Sequence, residues 1–133
     1  MELSLLIDNS AVDATDGAVF KRKSPVTGDV ATTAAAAKAA DVDAAVQAAA
    51  AAFPAWSTTG PGERRAILNA CADALEARSA EFAALGAQET GGTGPWFGFN
   101  VMLAAKMLRE AASMTTQIKG EIIPSDKPGT MAM

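Results

Sequence analysis

The chain has 133 residues, 50% of them hydrophobic and 20% charged, with a formal net charge of -4 and a pI near 4.7. That is the composition of a folded soluble chain with enough apolar material for one modest core, and its acidity excludes the broad basic surface that nucleic acid or anionic lipid requires. Histidine and tyrosine are absent and Cys71 is the single cysteine, which excludes Ser-His-Asp and Cys-His catalysis, HExxH metal sites, zinc fingers and any intramolecular disulfide.

Glu2 stands where a signal peptide needs positive charge, and the first apolar stretch already ends at Ile7. No uninterrupted apolar run approaches the roughly 18 residues of a membrane span. A cytoplasmic protein in a reducing compartment is therefore expected. Leu3 to Ile7 and the segment around Val19-Phe20 read as short strands separated by Asp8-Asn9-Ser10 and by Asp13 to Gly17, which carry turn chemistry and predict a hairpin or meander. Lys21-Arg22-Lys23 is the one basic cluster and reads as a solvated strand end. A turn over Ser24 to Gly28 precedes a further strand over Val30 to Thr33.

From Ala34 the composition turns to alanine, the best helix former. Val42, Val46, Ala49 and Phe53 fall on one helical stripe, with Asp41 and Asp43 in the first turn against the positive end of the helix dipole and Phe53-Pro54 as the stop. Pro61 then opens a second helix in which Ile67, Cys71, Ala74, Leu75 and Arg78 form the predicted inward stripe. On that reading Cys71 is a small core residue. Ser79 caps a third helix carrying Phe82 and Leu85, which runs out at Glu89-Thr90-Gly91-Gly92. A fourth helix is predicted from Pro95 to Lys119 with Gly120 as its left-handed cap. Trp96, Phe99, Leu103 and Met107 mark one of its faces, and Val101, Ala104, Ala105, Leu108 and Ala112 another, which predicts burial on more than one side. Glu121 to Pro124 reads as extended, Ser125 to Gly129 as a turn, and Thr130 to Met133 as the opening of a strand.

Gly92, Gly94 and Gly98 invite comparison with a dinucleotide loop, but their spacing is one residue too long, a helix precedes them, and Pro95 lacks the amide a phosphate would use. A loop between helices accounts for them. The charges of Asp41, Asp43 and Glu63-Arg64-Arg65 are those expected at helix starts.

Several strings resemble the N-terminal part of the NAD(P)-dependent aldehyde dehydrogenase superfamily. Pro25-Val26-Thr27-Gly28 is similar to its Asn-Pro-x-Thr-Gly turn, with Ser24 in place of the asparagine. Asp41 to Val46 and Ala52-Phe53-Pro54-Ala55-Trp56 resemble its first long helix and exit. Glu63-Arg64-Arg65 with Leu68, Glu89-Thr90-Gly91, Leu108-Arg109, Gly120-Glu121 and Ile123-Pro124 follow in the family's order, although Gly92 replaces the usual lysine. Within the superfamily, Trp96 to Val101, Arg109 to Ser113 and Thr116-Gln117-Ile118 are most similar to the salicylaldehyde dehydrogenase branch.

The resemblance implies an α/β, aldehyde dehydrogenase-like fold of which this chain is the N-terminal portion: strands and turns over residues 1–33, a helical layer over 34–119, and the start of oligomerisation strands over 120–133. It implies oxidation of an aromatic aldehyde to its carboxylate by NAD or NADP in a homo-oligomeric enzyme, with no nucleic-acid or membrane partner. The family's nucleophilic cysteine, general base, oxyanion amide and cofactor loops have no matching positions here. Cys71 does not match the nucleophile, so no catalytic, cofactor-binding or metal residue is assigned, and the chain alone is expected to be inactive and to bind no cofactor. The fourth helix contributes to the family's substrate tunnel, which makes Trp96, Phe99 and Leu103 candidate substrate-binding residues, with Asn100 just off their face. A non-catalytic helical interaction module, and a dehydrogenase of another aldehyde, are the alternative readings.

Overall fold

The structure, a computed structural model, describes residues 1–131. Five short strands precede four helices: β1 (Glu2–Leu3), β2 (Leu5–Ile7), β3 (Ser10–Val12), β4 (Val19–Lys23), β5 (Val30–Ala35), α1 (Ala39–Ser57), α2 (Pro61–Ala77), α3 (Ser79–Thr90) and α4 (Gly94–Ser113), the last followed by a 3-10 turn over Met114–Gln117. The sheet has the order β1-β5-β4, with β1 parallel and β4 antiparallel to β5. The predicted hairpin is β2-β3, closed between Ile7 and Ser10 by Asp8 and Asn9. Their φ values of 49° and 60° suit a two-residue turn matched to strand twist, and Asp and Asn tolerate that region better than most residues.

Ser24 fills its place in the following turn by chemistry rather than identity. Its buried hydroxyl accepts the N–H of Val26 at 3.3 Å and of Thr27 at 3.4 Å, the turn-forming job that an asparagine side chain performs. Gly28, at φ 78°, closes the loop into β5. β5 runs two residues beyond the predicted strand, so the helical layer begins at Ala39 rather than Ala34.

α1 is fastened at its two ends. Asp41 accepts the N–H of Lys38 at 2.8 Å and of Thr15 at 3.0 Å, as well as the Thr15 hydroxyl, and is itself buried. At the other end Arg64 of α2 donates to the Trp56 and Ser57 carbonyls at 3.2 and 3.3 Å and lies 5.3 Å from the Trp56 ring centroid. Three expectations change here. Asp43 lies beyond the first turn, because the helix starts at Ala39. The helix passes through Pro54 to Ser57; Ala50, whose carbonyl loses its donor to the proline, is exposed and can be hydrated. The predicted inward stripe faces out: Val42, Val46 and Phe53 are all more than half exposed.

α2 and α4 pack through small side chains, with Ala72, Ala105 and Ala112 at 0–1% exposure. Small residues let helix backbones approach closely. Arg65 donates to the Ala112 carbonyl at 3.1 Å, and Arg109 reaches Asp73 and Glu76 at 2.7 Å each. The inward stripe of α2 is Arg65, Leu68, Ala72 and Leu75, one position round from the predicted one. Cys71 is therefore exposed, not a core residue. Both stripes satisfy the 3.6 period; Arg65 packs inward through a guanidinium that has a carbonyl to bond, which hydrophobic counting does not register.

Two further boundaries differ. Arg78, rather than Ser79, occupies the cap position of α3. α4 stops at Ser113, where Ser113 and Thr115 turn their hydroxyls back to the carbonyls of Glu110 and Ala112 at 2.7 and 3.1 Å, a local competition that ends helices. Gly120 is not among the positive-φ glycines, so it is no left-handed cap. Lys127 to Thr130 form the expected turn, with Gly129 at φ 77°. Thr130 and Met131 are not in a strand, and the rest of that predicted strand lies outside the described residues.

The largest fully buried side chain is Thr32. The chain exposes 9592 Å², whereas a closed domain of 13.5 kDa exposes about 6,500 Å². The elements are well formed, but their apolar faces are mostly left open.

Candidate functional site

α4 begins at a sharply defined corner. Gly91 ends α3 in the left-handed region, with φ 74°, and Thr90 spans the turn by donating to the Gly86 carbonyl at 2.8 Å and accepting the Gly92 N–H at 3.3 Å. Thr93 caps α4 and Pro95 lies in its first turn, where a missing N–H costs nothing. Glu89, one residue earlier, accepts the Thr32 hydroxyl from β5 and pairs with Arg22 of β4 at 3.0 Å. The Glu89-Thr90-Gly91 string therefore joins sheet, helix end and corner in three consecutive residues. Lys21 and Lys23 flank Arg22 on an exposed strand, as a solvated strand end should.

The helix separates its two apolar faces cleanly. Val101, Ala105 and Ala112 are buried, with Ala104 and Leu108 partly so. Trp96, Phe99, Leu103 and Met107 are exposed, at 58%, 47%, 41% and 64%. The expectation of a helix buried on more than one side is thus corrected within this chain. The three candidate residues Trp96, Phe99 and Leu103 do share that open face. The rings of Trp96 and Phe99 are stacked, with centroids 6.0 Å apart and planes inclined by 28°, a favourable aromatic geometry. Asn100 is turned back on the helix, donating to the Trp96 carbonyl at 2.7 Å, so its amide braces the backbone beneath the indole.

Behind this face lies a cleft of about 450 Å³, lined by Phe97, Asn100, Val101 and Ala104 of α4 with Leu75, Phe82 and Leu3 opposite. A second apolar groove lies between Trp56, Arg64, Ile67, Met114 and Ile118. The Phe97 ring lies against Gly92, where a Cβ would stand 2.7 Å from it, whereas Gly94 faces open space. Among the described residues no cluster of three or more Cys, Asp or Glu side chains is arranged to hold a metal ion. No helix among them is long and apolar enough to cross a membrane.

The charged residues do structural work. Hydrogen bonds from Thr15 and Lys38 hold the Asp41 carboxyl below its ordinary value. The bond from Arg109 lowers Glu76, and Glu76 and Asp73 raise Arg109 in turn. Arg78 does the same for Glu81, at 2.7 Å. Glu63 lies in the first turn of α2, as its helix-start reading requires. Phe97 with Gly86 and Gly92, and Glu89 with Arg22, are contacts that periodicity does not reveal; the one sign of the former is a glycine at position 92 where the resembling family has lysine.

Residues 12–133 match the aldehyde dehydrogenase family. A vanillin dehydrogenase from a Pseudomonas species is 57% identical over 129 residues, covering 97% of this chain and 27% of the relative. The crystal structure of a salicylaldehyde dehydrogenase from Pseudomonas putida G7, complexed with salicylaldehyde, superposes with a TM-score of 0.93 at 44% identity, over 98% of this chain and 27% of that one. PnpE, solved in complex with nicotinamide adenine dinucleotide, gives 0.89 at 42% identity, over 95% of this chain and 26% of its own. The chain thus spans about a quarter of the length of the proteins it matches, and its short strands, helical layer and incomplete sheet are those of the N-terminal part of their fold. It belongs to the aldehyde dehydrogenase family.

Proposed function

We propose that this chain forms the N-terminal part of an NAD(P)-dependent dehydrogenase that oxidises an aromatic aldehyde to its carboxylate, and that Trp96, Phe99 and Leu103 form part of the wall against which the substrate ring lies. The observation that carries the reading is the exposed, stacked Trp96–Phe99 pair on the rigid first turns of α4. A flat apolar surface of this kind stacks on a benzaldehyde ring and has little to offer a two-carbon aldehyde. The relatives named for vanillin and salicylaldehyde direct the choice to benzaldehydes bearing oxygen substituents.

The cofactor, when bound, accepts the hydride that the aldehyde carbon gives up. On this reading the cofactor's phosphates are held elsewhere in the enzyme, in keeping with the Phe97 ring lying against Gly92 in the glycine-rich stretch. Nucleophile, base and oxyanion donors belong to the remainder of the enzyme on this reading. The role of the 133 residues is to shape the substrate wall, supply a helical layer and lead, beyond α4, toward the part of the fold through which a cytoplasmic homo-oligomer assembles. The clefts and open apolar faces are then surfaces that the rest of the fold covers.

Two measurements test this. The purified chain, assayed with NAD and salicylaldehyde or vanillin, should show no NADH formation above buffer, and turnover would overturn the division of labour. In the complete dehydrogenase, Trp96→Ala should lower kcat/KM for vanillin or salicylaldehyde by about tenfold, the scale of one lost aromatic contact, and leave propanal nearly unchanged. Equal losses on both would remove the wall.

A further inference from the structure

Trp96 and Phe99 lie on the open face of α4, and the opposite face of its first turn meets the corner between α3 and α4. Phe97, half-buried between them in sequence, points the other way, into the corner where α3 turns into α4. A Cβ on Gly86 would lie 2.5 Å from two of its ring carbons and 2.7 Å from a third, and a Cβ on Gly92 would lie 2.7 Å from the opposite edge. Such distances are far inside the roughly 3.5–4.0 Å of carbon–carbon contact. The phenyl ring therefore rests directly on backbone at two places, one on the last turns of α3 and one just before α4.

We propose that Phe97, seated on Gly86 and Gly92, is a positioning residue that fixes the rotation of α4 and thereby sets the enzyme's preference for planar aromatic aldehydes. The inference rests on the aromatic-wall reading above. A helix advances about 100° per residue, so Trp96 and Phe99 are tied to Phe97 at fixed angles, and no lateral freedom separates the seat from the wall. The corner itself is stiff. Gly91 is locked in its left-handed turn with Val26 close by, and Thr90 bonds both Gly86 and Gly92. With the loop fixed in this way, the start of α4 is the backbone on which a displaced ring bears.

The decisive variant is Gly86→Ala, tested in the complete dehydrogenase beside Trp96→Ala. The added methyl requires the ring to retreat by about 1 Å to reach ordinary contact, and displacements of that size at a binding surface are felt strongly. The expected result is a rise in KM for salicylaldehyde of about tenfold with kcat little changed, and a change of less than about twofold for propanal. Phe97→Leu in the Gly86→Ala background, where the shorter side chain makes room for the added methyl and the two together refill the seat, should restore most of the aromatic preference, whereas Phe97→Leu alone leaves the seat underfilled and should weaken it. A purely structural role would lower activity on both aldehydes together and would show no such rescue.

A second readout does not depend on turnover. In a Trp56→Phe background Trp96 is the only tryptophan of this chain, and in the 133-residue chain Gly86→Ala should shift its emission and its quenching by acrylamide. If Trp96→Ala abolishes the aromatic preference while Gly86→Ala leaves both the preference and the Trp96 emission intact, the positioning role is overturned and the wall stands. If Trp96→Ala leaves the preference unchanged, the wall itself falls, and the role assigned to Phe97 falls with it. Should Gly86→Ala fail to yield folded enzyme, Phe97→Leu alone carries the test, and an unaltered preference there overturns the proposal.

Discussion

The α2–α4 pair and α1 are built from similar material and finished differently. Both use alanine-rich helices, yet α2 and α4 meet through Ala72, Ala105 and Ala112 with almost no exposure, braced by Arg65 and by the Arg109 fork. α1 is pinned by Asp41 at one end and Arg64 at the other, and between those pins Val42, Val46 and Phe53 face outward. The difference separates two meanings of an apolar stripe. In α2 and α4 it is already spent on a partner inside the chain; in α1 it is still available.

The largest effect should come from crowding the finished interface. Ala105→Leu inserts a branched side chain where there is no exposed surface to receive it, and overpacking of this kind costs about 3 kcal/mol. Urea titration followed by circular dichroism should give a transition displaced accordingly, and an unchanged midpoint would mean that the two helices are not as closely apposed as the structure has them. Gly91→Ala comes next. Its φ of 74° and a Cβ 2.9 Å from the Val26 methyl add conformational to steric strain, about 1–2 kcal/mol, at the corner that orients α4.

Acid should distinguish the fastenings from the packing. Asp41 is depressed below its ordinary 3.8, chiefly by the Thr15 hydroxyl, and Glu76 below its ordinary 4.5, chiefly by Arg109. A carboxyl depressed in the folded state adds stability that is fully present above its unfolded value and is lost as pH falls through the folded one. The melting temperature should therefore decline once pH drops below about 4.5 for Glu76 and below about 3.8 for Asp41. Asp41→Asn should flatten the lower part of that decline and Glu76→Gln the upper. A profile that neither variant alters would mean that these bonds do not persist in solution.

How much of this was legible in the chain depends on whether a feature is local. The Asp8-Asn9 hairpin, Pro61 at the head of α2, Gly91 at the end of α3 and the split faces of α4 are written in a few adjacent residues, and the structure has them. The ordered strings carried the family correctly, and Ser24 shows why a departure from them was harmless. The place of Cys71 is not legible because two stripes one residue apart fit the same period, and an inward Arg65 carries no hydrophobic signal. The helix ends at Ser57 and Ser113 turn on an exposed Ala50 carbonyl and on hydroxyl back-bonding, neither of which propensity expresses. At the candidate site, periodicity grouped Trp96, Phe99 and Leu103, whereas the Phe97 seat needs Gly86 and Gly92 brought together from opposite sides of a turn.

The smallest effect belongs to α1 and is the most instructive. Val46 is 62% exposed, so Val46→Ala removes two methyl groups that touch little, and exchanges a β-branched residue for the best helix former. In the isolated chain its stability should change by less than about 0.5 kcal/mol, as at other surface positions. In a complete dehydrogenase, where the stripe would be covered, the same substitution should cost about 1–2 kcal/mol, the usual range for methyl groups taken from a packed site. Chemical denaturation of the two proteins measures both numbers. A cost near zero in each would mean that the outward stripe of α1 has no partner at all, and the comparison with α2 and α4 would then be one of a packed pair with an ordinary surface helix.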